Sequence, residues 1–432
     1  MRGPTRWTLL AAAVLVALAG TAHAAGFNIY EAGARATALG GAFTATADDG
    51  SALFYNASGM SFVEGHAVDI NLMPISPGFK FAEANGGQQN ASVNTSFPVP
   101  GAYYTSNHGT IAWGIGVYAP YGLGIEWENR DTWVGRQVSY DVSIEPIYLT
   151  PAISWRVSES FAVAVGADVV RQSLELNNVT LHSALGVNAL NTAIEGDSDI
   201  AVTPTAGLMF RPNPVLSLGL MYHHSITMKY TDGDAHITNI ATPGSDAYYW
   251  GAALLAGLGG ENHKAATELS LPSILSAGVS WQFIAKLRAE FNAVWFKWSE
   301  FASLELTFDN DADSALNQAL HFDYDDSWQF RLGLEWDIIE NLAAMGGFVY
   351  DTTPQPLGAV SPILPDSDRQ DYSIGLQYKI SQWELTVSYM YVNAEKRTNI
   401  EDGQPVRFSD TYPVGQYSSN ANIVGLGAGY RW

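Results

Sequence analysis

From Asn422 to the last residue the chain alternates. Asn422, Val424, Leu426, Ala428, Tyr430 and Trp432 fall on one parity; Ile423, Gly425, Gly427, Gly429 and Arg431 fall on the other. Successive side chains point to opposite faces in a β-strand. One face of this strand is therefore apolar and ends in aromatics, while the other is small with a terminal charge. Such a strand suits lipid outside and a polar lumen inside. The pattern recurs. Trp328, Phe330, Leu332, Leu334 and Trp336 stand opposite Gln329, Arg331, Gly333 and Glu335. Further runs begin at Leu342, Tyr372 and Trp383. Each is close to the roughly 9–11 residues that cross a bilayer as a tilted strand. Repetition separates this reading from a soluble sheet, whose single strands also alternate.

The N-terminus reads as an export signal, residues 1–24. Arg2 and Arg6 form a basic start, Leu9 to Ala19 an apolar run, and Ala22-His23-Ala24 a small-x-small cleavage site. No later stretch offers about 18 consecutive apolar residues. There is no cysteine, so disulfides do not hold this exported chain together. A closed barrel does so without them, because every strand edge is paired. The 12% aromatic content and 41 glycines favour that barrel over a soluble secreted β-protein or a periplasmic enzyme. A formal charge of −22 argues against nucleic acid, whose phosphates need a basic patch.

Connector lengths alternate as well. Short turns at 106–109, 156–159, 211–214, 283–286, 337–341 and 380–382 are separated by long polar connectors at 82–96, 119–138, 178–195, 231–265, 306–324, 352–368 and 397–418. Six short and seven long connectors join fourteen strands, and an even number puts both ends on one side. Short periplasmic turns with long external loops are the barrel signature. The predicted fold is thus all-β: a transmembrane fourteen-stranded antiparallel β-barrel over 66–432. Trp155, Trp281, Trp336, Trp383 and Trp432 lie near short turns or the C-terminus and predict one aromatic girdle; Trp298 and Trp328 suit the other.

Residues 25–65 do not read as a barrel strand. They are rich in Ala, Gly and Thr, with a turn at Asp48-Asp49-Gly50 and a short helix expected within Ser51–Met60. Phe43, Leu53, Phe54 and Tyr55 require burial. With both ends periplasmic, the lumen is the place for them, so the segment is expected to be a plug, or hatch.

Several motifs follow in order: Gly26-Phe27, Ala38-Leu39-Gly40-Gly41-Ala42-Phe43, Ala47-Asp48-Asp49, Asn56-Ala57-Ser58-Gly59-Met60, Tyr121-Gly122-Leu123, Trp133-Val134-Gly135-Arg136, Leu271-Pro272-Ser273, Trp298-Ser299-Glu300-Phe301 and Ile363-Leu364-Pro365-Asp366-Ser367-Asp368-Arg369. Together they resemble the FadL/TodX-type outer-membrane transporters of long-chain fatty acids and hydrocarbons. The resemblance implies a fourteen-stranded barrel with an N-terminal hatch and a kinked third strand whose gap opens laterally. The family's usual Asn-Pro-Ala of the hatch reads Asn56-Ala57-Ser58 here, without the turn a proline fixes.

The expected function is passive uptake of hydrophobic molecules across the outer membrane of a Gram-negative bacterium. Long-chain fatty acids are the first expectation, neutral or aromatic hydrocarbons the alternative, and a general porin or structural barrel the rival class. Candidate ligand contacts are Phe27 and Ile29 in the hatch and Arg331 in the lumen. In the outer loops they are Leu185, Trp250 and Leu254, within two apolar clusters, the first of which recurs at near-helical spacing. Val117, Tyr118, Pro120 and Tyr121 are candidates for the lateral opening, since Pro120 cannot donate a ladder hydrogen bond. A desolvated carboxylate wants Arg or Lys beside it. Loops 178–195, 306–324 and 352–368 contain neither, leaving Arg130, Arg136, Lys264 and Arg407 as loop candidates and Arg331 inside. Arg288, Glu290, Glu335, Lys379, Glu384 and Arg431 also face inward by parity, as expected of ion pairs that fill a lumen.

No enzyme is expected. Gly-x-Ser-x-Gly is absent, and adjacent His223 and His224 must point to opposite faces. Asp309-Asn310-Asp311-Ala312-Asp313 starts like a calcium loop but lacks Gly at its sixth position and Glu at its twelfth. No cofactor and no metal are expected. The expected partners are the hydrophobic solute, outer-membrane lipid and lipopolysaccharide, and the barrel-assembly machinery.

Overall fold

The structure, a computed structural model, describes residues 26–308 and 317–432. The expected export signal, residues 1–24, and the Asp309–Asp313 motif lie outside the described residues. Fourteen strands form one closed antiparallel barrel. They are β1 (Gly65–Glu83), β2 (Phe97–Asn107), β3 in two pieces (Ile111–Tyr118 and Leu123–Glu126), β4 (Asp141–Ser158) and β5 (Phe161–Leu181). Next come β6 (Asn188–Asp197 and Ala201–Asn213), β7 (Leu216–His223 and Ile226–Asn239), β8 (Asn262–Leu271 and Ile274–Ile284), β9 (Leu287–Phe296 and Ser303–Phe308) and β10 (Gln318–His321 and Ser327–Ile339). β11 (Leu342–Asp351), β12 (Arg369–Ile380), β13 (Trp383–Ala394) and β14 (Gly415–Arg431) complete the wall. β14 pairs with β1 from Ala67↔Arg431 to Glu83↔Gly415, which closes the barrel.

The two parities separate as the sequence requires. Val424 and Leu426 of β14 and the following Trp432 are exposed on the outer face, as are Ile374 and Leu376 of β12. Trp155, Trp281, Trp336 and Trp383 are exposed at the short-turn end and form the predicted girdle. Trp328 is exposed near the opposite rim, but Trp298 is 0% exposed. A 3-10 turn, Trp298–Glu300, interrupts β9 there, and the ring points inward to stack edge-on against Phe27 at 5.2 Å. Trp298 therefore belongs to the lumen rather than to the outer girdle.

The connector expected at 178–195 is mostly strand. β5 and β6 pair on from Ser173↔Asp197 to Leu181↔Asn188, so Leu190 and Ile194 alternate on a hairpin instead of lining a helix. The near-helical spacing was coincidence within a short run. The second loop cluster does form a helix, Asp246–Leu258. Ser245 Oγ caps it by accepting from Tyr248 N at 3.2 Å, and Gly259 ends it with φ 91°. Leu255 packs on Leu190 and Ile237 of the extended hairpins.

Residues 26–62 run through the lumen as two short helices, α1 (Ala34–Ala38) and α2 (Ala52–Tyr55), and a 3-10 turn, Ala57–Phe62. Their alanines are fully buried. The small inward face of the wall explains how they fit. A Cβ on Gly347 would lie 2.1 Å from Gly40 N, and one on Gly219 would lie 2.1 Å from Thr44 O. Inward polar side chains reach the hatch backbone: Asn292 Oδ1 accepts from Phe43 N and Thr44 N, and Glu290 Oε1 accepts from Ala45 N. Asn56 compensates for the missing proline. Its Oδ1 accepts from Ser58 N at 3.2 Å, and its Nδ2 donates to Thr44 O and Leu208 O at 2.9 Å each. Ala57 and Ser58 follow as buried residues of the 3-10 turn.

Candidate functional site: a cavity between the hatch and the broken third strand

β3 pairs with β4 down to Tyr118↔Tyr148 and resumes at Leu123↔Ile144. The four residues between leave the ladder, as they must where Pro120 offers no N–H. β2 follows β3 only from Ala102↔Val117 to Asn107↔Ala112. Phe97–Gly101 keep their pairing with β1 but have no partner on β3. The wall is open there.

The head of the hatch occupies the displaced piece of β3. Ile29 N donates to Pro120 O at 2.8 Å, and Gly122 N donates to Phe27 O at 3.0 Å. These two bonds flank an isolated antiparallel bridge between Asn28 and Tyr121. Asn28 Nδ2 adds a bond to Pro120 O at 3.0 Å. A third link reaches the hinge from below. His223 joins Phe54 O through Nε2 at 2.9 Å and Asp168 through Nδ1 at 3.0 Å, and Asp168 accepts from Thr150 Oγ1 and Tyr118 OH. His224 points outward, hydrogen-bonded to Tyr222, so the two histidines do diverge.

Beside this contact lies a cavity of about 540 Å³. Its inner walls are Phe27, Ile29, Tyr118, Tyr121, Leu123 and Ile144. Pro98, Pro100, Val117 and Ile147, all on the outer parity, line it too. The cavity thus runs from the lumen into the gap in the wall. Phe27 is edge-on to Trp298 and Phe301 at 5.2 and 5.4 Å, and a small apolar void of about 30 Å³ continues from it past Leu174, Leu269 and Leu304.

The floor is acidic. Glu31, Asp366 and Asp371 line it with one base, Arg369, and Arg369 is already ion-paired to Asp351. Tyr30 OH donates to Asp371 at 2.5 Å, and Asp366 accepts from Gly26 N at 2.9 Å and Thr353 Oγ1 at 2.5 Å. Burial, reinforced by Asp371, pushes Glu31 up to about 7 against the opposing pull of Arg369 and Arg331. Burial likewise pushes Asp366 up to about 6, against Arg369.

Arg331 does face the lumen, but it is not on the cavity wall. Its Nη1 donates to Gly41 O at 3.0 Å, its Nε to Gln329 at 2.5 Å, and its guanidinium lies 4.5 Å from the Tyr30 ring centroid. At 3% exposure its hydrogen bonds go to the hatch and to its own strand. Of the remaining inward charges, Glu290 accepts hydrogen bonds from Ala45 N and Asn292 instead of pairing with a base, Lys379 pairs with Glu384, and the others form networks. Glu335 is shared by Arg35 and Arg288, which also flank Asp48. Arg431 bridges Glu384 and Asp69. Burial opposes ionisation of Asp48, but Arg35 and Arg288 outweigh it and hold its carboxyl well below the usual range.

At the outer mouth the Trp250 ring lies against His182, tilted, with centroids 5.0 Å apart, while Leu254 on the same helix and Leu185 stay exposed. They are remote from the cavity wall. The loop bases are engaged: Arg130 with Asp131, Lys264 with Asp232 and Asp234, Arg407 with Asp410, and Arg136 with Trp133 O and Asn188. Glu31, Asp366, Arg369 and Trp298 were not among the candidates. Glu31, the one charge in an otherwise small and apolar stretch from Gly26 to Ala34, was the available signal.

The family model described as "Outer membrane protein transport protein (OMPP1/FadL/TodX)" matches residues 15–432. Outer membrane protein P1 of Haemophilus influenzae is 24% identical over 98% of this chain and 99% of its own length. The long-chain fatty acid transport protein of Salmonella typhi is 21% identical over 98% and 100%. Among solved structures, a Pseudomonas aeruginosa FadL homologue superposes with a TM-score of 0.80 at 18% identity, covering 94% of this chain and all of its own. The toluene transporter TodX of P. putida does so with a TM-score of 0.71 at 15% identity, covering 93% and 98%.

Proposed function

Because this chain belongs to the OMPP1/FadL/TodX family of outer-membrane transport proteins, we propose that it is a passive uptake channel for hydrophobic small molecules, with neutral ones as its preferred cargo. The observation that carries this reading is the cavity of about 540 Å³ whose lining joins hatch residues to outward-facing residues of β2, β3 and β4. A dry site of about 150 Å³ holds a benzene ring, so this volume suits a larger hydrocarbon. The exposed Leu185 and Leu254 and the adjacent Trp250 gather solute at the outer mouth. Each CH₂ withdrawn from water contributes roughly 0.8 kcal/mol. The solute passes down the apolar lumen to the cavity and leaves sideways between β2 and β3, because a greasy molecule is more stable in lipid than in water.

Neutral cargo is preferred on electrostatic grounds. A carboxylate lowered to the floor meets Glu31, Asp366 and Asp371 and one arginine that Asp351 already neutralises. Leaving a buried charge unpaired costs several kcal/mol. Long-chain fatty acids are the second reading, favoured by Arg369 on the cavity wall. Retention of dodecane and dodecanoate by the purified barrel at pH 8, quantified by mass spectrometry, tests the choice. Dodecane should be held at least tenfold more tightly. Tighter dodecanoate binding, lost in Arg369→Gln while dodecane binding persists, would reverse the order.

A further inference from the structure

A second large cavity, about 850 Å³, lies at the short-turn end of the lumen beneath the Ala45–Asp48 turn of the hatch. This end faces the periplasm in barrels of this type. Arg156 of β4, Arg211 of β6 and Arg288 of β9 converge on it. All three point inward, since Trp155, Phe210 and Phe291 hold the exposed parity of their strands.

Their partners differ. Arg288 has Glu335 at 2.5 Å and Asp48 at 3.5 Å. Among the described residues, neither Arg156 nor Arg211 has a carboxylate within ion-pair reach. Arg156 Nη2 donates only to the Glu159 carbonyl at 3.2 Å, and Arg211 Nη2 only to the Thr46 carbonyl at 2.7 Å. The Nε of each is buried without an acceptor. Both guanidinium groups lie over one ring, Phe62, at 5.3 and 4.5 Å from its centroid.

Two cations on one ring repel each other. The ring face attracts each only modestly and accepts no N–H in the guanidinium plane. In a chain with 43 acidic and 21 basic residues, acids to neutralise them were plentiful, yet the two that line the cavity, Asp48 and Glu159, stay out of ion-pair reach of both, and Asp48 is held by Arg35 and Arg288. Guanidinium groups with free N–H edges in a concave site are matched by an oxyanion, which takes two hydrogen bonds from each fork.

We propose that this cavity is an anion-binding site in which a carboxylate or phosphate group bridges Arg156 and Arg211 under the hatch. The inward parity separates these arginines from the phosphates of the surrounding lipid, so the anion arrives from the periplasm or through the lumen. Two sources share this chemistry: a free inorganic anion, and the head of an amphiphile whose tail would lie against Phe62, Pro214, Val215 and Leu216.

The test is equilibrium dialysis of the full barrel in non-ionic detergent at low salt, with radiolabelled inorganic phosphate and radiolabelled octanoate as probes. At least one should bind saturably near one equivalent. Its affinity should fall tenfold or more in Arg156→Gln, which leaves the Arg211–Thr46 bond to the hatch in place. It should fall further in Arg156→Gln/Arg211→Gln, and stay unchanged in Lys264→Gln at the opposite mouth. Phosphate alone binding identifies a free anion, and octanoate alone an amphiphile; both outcomes support the site. No saturable binding of either probe, or binding indifferent to Arg156→Gln in a barrel that still shows heat-modifiable mobility, overturns it.

Discussion

The N–H of Ile29 donates to the carbonyl of Pro120 at 2.8 Å. This bond joins the head of the hatch to the strand that opens the wall. The hatch therefore takes the place of the missing ladder partner of β3, and any movement of one must be felt by the other.

That coupling can be locked. Asn28 and Tyr121 form a non-hydrogen-bonded antiparallel pair, the geometry in which Cα atoms approach to about 4.5 Å and a disulfide fits. The chain has no cysteine to interfere. Asn28→Cys/Tyr121→Cys is expected to cross-link on oxidation and to cut hydrocarbon uptake at least fivefold, with recovery on reduction. Full uptake by the verified disulfide form would show that the hatch head stays on β3 during transport.

Capture should depend on the outer helix. Trp250→Asp with Leu254→Asp removes apolar surface from the mouth without touching the barrel ladder. Uptake at low solute concentration should drop severalfold while saturating uptake and heat-modifiable gel mobility remain. Unchanged low-concentration uptake would place capture elsewhere.

Arg331→Met should act on the hatch. It removes a charged hydrogen bond to Gly41 O, a contribution of about 1.5–3 kcal/mol, and the cation over Tyr30, but takes no residue out of the cavity wall itself. Amide exchange near Gly40–Phe43 should speed up, and binding of a matched acid and alkane should change alike. Selective loss of the acid would restore Arg331 as a head-group partner.

Acidity should tighten the cavity floor. The folded-state value of Glu31 is raised to about 7 and that of Asp366 to about 6, so the folded protein holds protons that the unfolded chain releases near pH 4–4.5. The stability they contribute is present below that range and lost as pH rises through about 6 to 7. Hydrogen exchange of residues 27–30, corrected for intrinsic rates, should therefore speed up from pH 5 to pH 8. Glu31→Gln should flatten the upper part of that rise, and an unaltered profile in this variant would remove Glu31 from the account.

Strand count, closure and the periplasmic girdle were legible because lipid imposes a rule on every second residue of the wall. Trp155 and Trp336 obey it. Trp298 misled because it sits close to a long loop, and strand parity was overruled there by a 3-10 turn. Arg331 was correctly placed inward, yet parity says which face a side chain takes and nothing about what covers it. The acidic floor escaped for the same reason. Glu31, Asp366 and Arg369 come from the hatch, a loop and a strand start, and only the folded lumen brings them together. The break in β3 after Tyr118 was readable at Pro120 because a missing backbone donor is a local fact.

The hatch's bond from Gly26 N to Asp366 spans 340 positions, and its α1 helix rests against wall glycines of the last strands made. Such contact order makes assembly slow. It also fixes a sequence of events. The N-terminal segment emerges first but lacks a complete surface to fold on until β10–β12 have joined the earlier strands it also touches, and the seam between β14 and β1 can then close only around it. Gly219 and Gly347 leave spaces that only this segment fills. A chain lacking residues 26–62 would have to close over voids, so the hatch is a core on which the cylinder is wound, and removing it should slow barrel formation before it alters permeability.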